Sequence, residues 1–150
     1  MKVGDLMTSN PILACATDSI ASAAELMGSA DIGSVPVIEN RDGGRLIGML
    51  TDRDIVLRCT AKRHDATKCT VEQHMTREDL ATARPDTPLT ELIEMMERSQ
   101  VRRVPVVSDG GHVVGIVAQA DLARGVGPND PALVEQMLVR VSAPSAPAAA

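Results

Sequence analysis

Leu46-Ile47-Gly48-Met49-Leu50-Thr51-Asp52-Arg53-Asp54 runs from an apolar, β-rich stretch through a threonine into an acidic helix start, and it returns as Val113-Val114-Gly115-Ile116-Val117-Ala118-Gln119-Ala120-Asp121. Ahead of each copy lies another β-rich run, Val35-Pro36-Val37-Ile38 or Val104-Pro105-Val106-Val107, separated from it by Gly43-Gly44 or Gly110-Gly111. Two such runs joined by a short glycine turn predict an antiparallel hairpin. Pro36 and Pro105 then fall near a strand start or on an edge, where a missing N–H is tolerated. A helix follows each hairpin, beginning at Asp52 or Gln119 and turning Ile55 or Leu122 inward.

The correspondence extends outward in both directions. Met7-Thr8 is matched by Met75-Thr76, Asp18 by Asp86 and Met27 by Met96, with small changes of offset that fall where loops absorb them. Ile20, Ala23, Ala24 and Met27 stand at helical spacing after the cap pair Asp18-Ser19. Leu89, Leu92, Ile93 and Met96 repeat that spacing after Thr87 and Pro88, which read as cap and first-turn proline. Ile12–Cys15 reads as a short first strand. Two copies are too few for a solenoid, so the pattern predicts a duplicated subdomain of βαββα type with pseudo-two-fold symmetry, an α/β (α+β) fold. The expected organisation is a first repeat over 1–62, a polar linker over 63–73, a second repeat over 74–126, an amphipathic helix over 127–141 and a disordered tail over 142–150. The last helix opens at Asp130-Pro131 and carries Leu133, Val134, Met137, Leu138 and Val141 on one face. That face docks either on its own chain or in a homodimer.

Composition narrows the function. The chain has 150 residues, 44% of them apolar, and no aromatic residue, so any bound base is held without ring stacking. Fifteen basic against twenty acidic residues give a net charge of −5 with no basic block, which disfavours nucleic acid and anionic membranes as partners. With neither a long apolar run nor a charged-then-apolar leader, the expected location is cytoplasmic. There is no Walker loop, serine elbow or H-E-x-x-H motif, so no catalytic residue is assigned and the chain is expected not to be an enzyme. His64, His74 and His112 are expected on the surface. Cys15 and Cys59 read as buried fillers and Cys69 as the most exposed thiol; lacking C-x-x-C spacing, they yield no assigned metal ligands.

At the strand-to-helix junction, helix-start N–H groups favour phosphate, Thr51 can cap or donate to phosphate, and the Asp54 carboxylate can accept from both hydroxyls of a ribose. The alternative is that Thr51 only caps the helix and Asp54 only complements its dipole. The second copy keeps Asp121 but has Ala118 in place of the hydroxyl. It offers Arg102-Arg103 before Val104-Pro105, where the first copy has Gly33-Ser34. Those guanidinium groups either face phosphates or answer Glu94 and Glu97 at the surface.

Taken together, the two Met-Thr openings, the Val-Pro-Val strands and the Gly48–Asp54 junction resemble a tandem cystathionine-β-synthase (CBS) domain pair, or Bateman module, of the stand-alone bacterial type. The resemblance covers residues 3 to 126. It implies two subdomains packed sheet to sheet and joining commonly into a dimer, with clefts between the repeats that take AMP, ADP, ATP or S-adenosylmethionine. It also implies that Ile12, Val35 and Pro36 line a base pocket. The candidate ligand-binding set is thus Ile12, Ser34, Val35, Pro36, Thr51, Arg53, Asp54, Arg102, Arg103, Val104, Pro105 and Asp121. No obligatory cofactor is implied, and the expected role is allosteric regulation of an unknown protein partner. Two rivals stay open: a ligand-free interaction module, and a thiol or metal sensor using Cys15, Cys59, Cys69 and a histidine.

Overall fold

The computed structural model describes residues 1–143, so the tail expected from 142 lies, beyond Ala143, outside the described residues. The chain forms α1 (Val3–Leu6), β1 (Thr8–Ser9), β2 (Ala14–Cys15), α2 (Ile20–Ala30), β3 (Ser34–Ile38), β4 (Leu46–Thr51) and α3 (Asp52–Asp54), which runs into a π-helical turn over Ile55–Thr60. After α4 (Val71–His74) come α5 (Leu89–Ser99), β5 (Arg103–Val107), β6 (Val113–Ala118), α6 (Gln119–Val126) and α7 (Pro131–Val141). The result is a mixed α+β fold with two three-stranded sheets, ordered β2-β3-β4 and β1-β6-β5. Both predicted hairpins form, because glycine pairs punctuate two apolar runs of alternating facing in each copy.

One compact unit comprises Asn10–Leu80 with Val107–Val113. Here β2 runs parallel to β3, and β3 pairs antiparallel with β4 in a register that sets Ser34 opposite Thr51 and Pro36 opposite Met49. Helix α2 makes the crossover. Its buried stripe is Ile20, Ala23 and Met27, which pack with Val35, Val37 and Leu50. Ala24, expected in that stripe, is exposed, so the buried face of the helix is narrower than its apolar spacing. The first strand is also shorter than expected: pairing starts at Ala14, and Ile12 is exposed outside it. Ser19 caps α2 by accepting from the Ser22 N–H at 3.1 Å, while Asp18 accepts from the Cys15 N–H at 2.9 Å.

Among the described residues, the other unit comprises Met1–Ser9, Ala81–Val106 and residues 114–143. Leu89, Leu92, Ile93 and Met96 are all buried, as their spacing predicts. The capping expectation needs correction: Pro88 is itself the N-cap, and the Thr87 hydroxyl accepts from the Arg84 N–H at 2.9 Å instead of from the helix. Helix α7 begins where Asp130 accepts from the Leu133 N–H at 3.0 Å, and it buries Met137 and Val141 in the core that α5 and α6 share. Its apolar face therefore docks on its own chain, leaving Leu138 exposed at the rim.

The opening segments explain why Met-Thr and Gly recur together. Met49 and Thr76 exchange two backbone hydrogen bonds of 2.8 Å, which brings Met75 and the Thr76 carbonyl over Gly48. In the other unit Thr8 pairs with Ile116, and Met7 and the Thr8 carbonyl cover Gly115 in the same way. Each sequence repeat and its compact unit are thus offset by one opening segment.

Candidate functional site

The strand-to-helix junction is built by a reciprocal capping box. Thr51 Oγ1 accepts from the Asp54 N–H and Asp54 Oδ2 accepts from the Thr51 N–H, both at 3.0 Å, so the pair satisfies two helix-start donors at once. Asp54 Oδ1 lies 3.7 Å from Arg58 Nε, and the Asp54 side chain is only 12% exposed. The capping geometry that the spacing left open is therefore formed. It does not exhaust the carboxylate, whose two oxygens offer about four acceptor positions. Arg53 is exposed beside it.

The second junction keeps half of the device. Asp121 Oδ2 accepts from the Ala118 N–H at 2.8 Å and Oδ1 pairs with Arg124 at 2.6 Å, but Ala118 brings no hydroxyl to the helix start. Gln119, which stands where the first copy has Asp52, has its Nε2 buried with no hydrogen-bond partner among the described residues. That orphaned donor was not singled out by the sequence, because a glutamine at a helix start is ordinary on the surface.

The remaining candidates distribute unevenly. Val35 and Val104 are fully buried, and each packs into its own unit's core, so what each offers at the strand surface is backbone. Pro36 and Pro105 occupy the opposite face of their strands by alternation and are also buried. Ser34 is half-buried opposite Thr51. Arg103 is half-buried and Arg102 exposed, and among the described residues neither forms an ion pair; Glu97, one of their expected partners, pairs with Arg140 at 3.3 Å. An open cleft of about 420 Å³ lies in the first unit, lined by α2 and the start of the π-turn, including Met27, Asp52, Ile55 and Val56. It borders the junction without including Thr51, Arg53 or Asp54.

The linker region holds a different surprise. His74, expected on the surface, is buried at the end of α4, while Cys69 is half-buried and, as expected, the least buried of the three thiols. Cys59 from the π-turn, Cys69 and His74 bring one ligand-type atom each to within 4.8 Å of one another. Arg58, one residue before Cys59, donates to the carbonyls of His74 and Met75 at 3.3 and 3.1 Å, which ties α4 to the π-turn. Burial pushes the Cys59 thiol up, with Cys69 and Asp65 adding to the effect. Burial, then His64 and Arg58, pushes His74 down, so the imidazole stays neutral to lower pH than a free one.

Against known families, the model of the CBS domain matches residues 3–60 and again 71–127. The chain belongs to the CBS-domain family. Among curated relatives of this CBS-pair chain, the CBS domain-containing protein YhcV of Bacillus subtilis is 40% identical over 121 residues, covering 81% of the chain and 82% of the relative. Hypoxic response protein 1 of Mycobacterium tuberculosis is 37% identical over 120 residues, covering 80% and 81%. A solved structure, the CBS domain pair of protein MJ0100 in complex with 5-methylthioadenosine and S-adenosyl-L-methionine, superposes with a TM-score of 0.74 at 33% identity, covering 85% of this CBS pair and 97% of that chain. No helix among the described residues is long and apolar enough to cross a membrane.

Proposed function

We propose that this CBS pair is a non-catalytic regulatory module that binds an adenosine-type ligand, such as AMP, ADP, ATP, S-adenosylmethionine or its methylthioadenosine relative, at the Gly48–Asp54 junction. The observation that carries this reading is the Thr51–Asp54 capping box, which holds a hydroxyl and a largely buried carboxylate in fixed positions before any ligand arrives. A carboxylate so placed accepts from the vicinal hydroxyls of a ribose without first paying for its own ordering. Support also comes from the MJ0100 pair, solved with two adenosine-type ligands at 33% identity to this chain. The two junctions are unequal: the first has the hydroxyl of Thr51, and the second, with Ala118, leans on Arg102 and Arg103 for positive charge. Binding to one conformation in preference to another would couple to a partner by about 1–3 kcal/mol, enough to adjust that partner's activity.

A thermal-shift panel tests the proposal. Nucleotide-stripped protein is heated with AMP, ADP, ATP, S-adenosylmethionine or 5′-methylthioadenosine, each at millimolar concentration. Binding to the native state at a hundredfold excess over Kd stabilises by about 2.7 kcal/mol, which raises Tm by roughly 5–10 °C in a chain of this size. Flat curves for all five would overturn the proposal. They would favour a ligand-free interaction module, for which the exposed Val56, in the wall of the open cleft, and the exposed Leu57 offer apolar surface.

A further inference from the structure

We infer that Cys59, Cys69 and His74 form a binding site for a thiophilic divalent metal ion of the Zn(II) type, with three protein ligands and a fourth position left to solvent. The inference does not rest on the adenosine reading, since none of these residues belongs to the Thr51–Asp54 junction.

Geometry comes first. The three ligand-type atoms lie within 4.8 Å of one another. Ligands around tetrahedral zinc, with Zn–S near 2.3 Å and Zn–N near 2.0–2.1 Å, stand about 3.5–3.8 Å apart, so closing on an ion requires movement of about an ångström. The side chains are delivered by three separate pieces of backbone, namely the π-turn, the turn before α4 and the last residue of α4. Arg58 joins the π-turn to the end of α4, and the Cys59 carbonyl accepts from the His64 N–H at 3.0 Å where the chain leaves the π-turn. Single π-turns are uncommon and concentrate at functional sites.

A second, independent observation points to a ligand. His74 is 5% exposed, and its Nε2 is buried with no hydrogen-bond partner among the described residues. A buried polar atom in that state costs about 1–3 kcal/mol unless something satisfies it, and a metal ion does so with a lone pair that a neutral imidazole has ready. The donor set also selects the metal. Two sulfurs and one imidazole suit Zn(II) and exclude Mg(II) and Ca(II), which require oxygen ligands. On binding, each cysteine thiol gives up its proton to water and coordinates as thiolate, with no oxidation and no other co-reactant. The exposed His64 ring lies 5.3 Å from the His74 ring between centroids. The four residues are regularly spaced as Cys59-x4-His64-x4-Cys69-x4-His74, a pattern outside the usual short C-x-x-C motifs.

The test is a titration of the metal-stripped, reduced full chain with Co(II) as spectroscopic probe and with Zn(II) in competition with a chromophoric chelator. The expected result is one equivalent bound, a thiolate-to-cobalt charge-transfer band and visible bands of tetrahedral intensity, with cobalt displaced by zinc. Loss of an outer-shell partner already costs 10–100-fold in affinity, so Cys69→Ser and His74→Gln should each lose at least about 100-fold. Cys15→Ser, which removes a thiol in β2, should bind as the wild type does. Because Cys59 is fully buried and its replacement risks the fold, the half-buried Cys69 carries the decisive variant, with the Tm of its metal-free form as the check on folding. Absence of a one-equivalent end point, a cobalt spectrum without thiolate charge transfer, or unchanged affinity in folded Cys69→Ser would each overturn the site.

Discussion

Asp54→Asn should weaken binding of the adenosine-type ligand about 10- to 150-fold while lowering Tm by only a few degrees. Asparagine keeps the size of the side chain and one carbonyl oxygen, so the bond accepted from the Thr51 N–H, 3.0 Å in the native chain, is retained and the helix start stays capped. What it loses is charge and one acceptor oxygen. A hydrogen bond to a charged group contributes about 1.5–3 kcal/mol, which corresponds to that affinity range. The ion pair to Arg58 is lost too, but Arg58 is half exposed and such pairs contribute about 0–1 kcal/mol. Alanine would confuse the two effects by removing the cap together with the acceptor. The check is calorimetric titration of wild type and variant with whichever ligand shifts Tm most. Equal affinities would remove Asp54 from the binding surface and leave it a helix cap alone.

Gly48→Ala should destabilise the fold by about 1–3 kcal/mol, with Tm falling by roughly 3–10 °C. A Cβ built on Gly48 meets the Thr76 carbonyl oxygen at 2.9 Å and Met75 Sδ at 2.5 Å. The thioether can swing away, but the carbonyl cannot, because two 2.8 Å hydrogen bonds lock Met49 to Thr76. The strand pair has to part or bend. Gly115→Ala faces the same obstacle from Met7 and the Thr8 carbonyl and should behave alike. Gly28→Ala is the contrasting control: it lies inside α2 with nothing within 4 Å of the new methyl group, so it should stabilise by up to about 1 kcal/mol. Urea denaturation of the three variants orders them directly. A Gly48→Ala protein as stable as the wild type would contradict the close approach of the opening segment to the hairpin.

The hairpins and α5 were legible in the sequence because their signals are local. Glycine pairs mark the turns, β-branched runs mark the strands, and Leu89, Leu92, Ile93 and Met96 fall on one helical stripe that the fold buries in full. The destination of the opening segments was not legible. Nothing within Met7-Thr8 says that it covers Gly115 in a hairpin more than a hundred residues away; only the recurrence of the Met-Thr and Gly pairs hinted that they belong together. Ala24 failed as a core position for a related reason, since helical spacing gives a face and tertiary packing decides how wide the face is. The junction was legible in its residues but not in its hydrogen bonds, because Thr-x-x-Asp serves a cap and a ribose equally well. The sequence offered Cys59, Cys69 and a histidine only as an open sensor reading, without saying that His74 is the histidine or that Cys15 stands apart, because a π-turn and a tight turn at 65–69 bring the three together, and neither has a dependable sequence signal.

The central claim, an adenosine-type ligand held at the Gly48–Asp54 junction, is tested most directly by amide chemical-shift mapping of the full, nucleotide-stripped chain during titration with S-adenosylmethionine and with AMP. The predicted result is saturable shifts at the amides of Gly48 to Asp54, with weaker ones at Gly115 to Asp121. No shifts with either ligand, or shifts confined to the α2 wall of the open cleft around Met27 to Ile32, would contradict it.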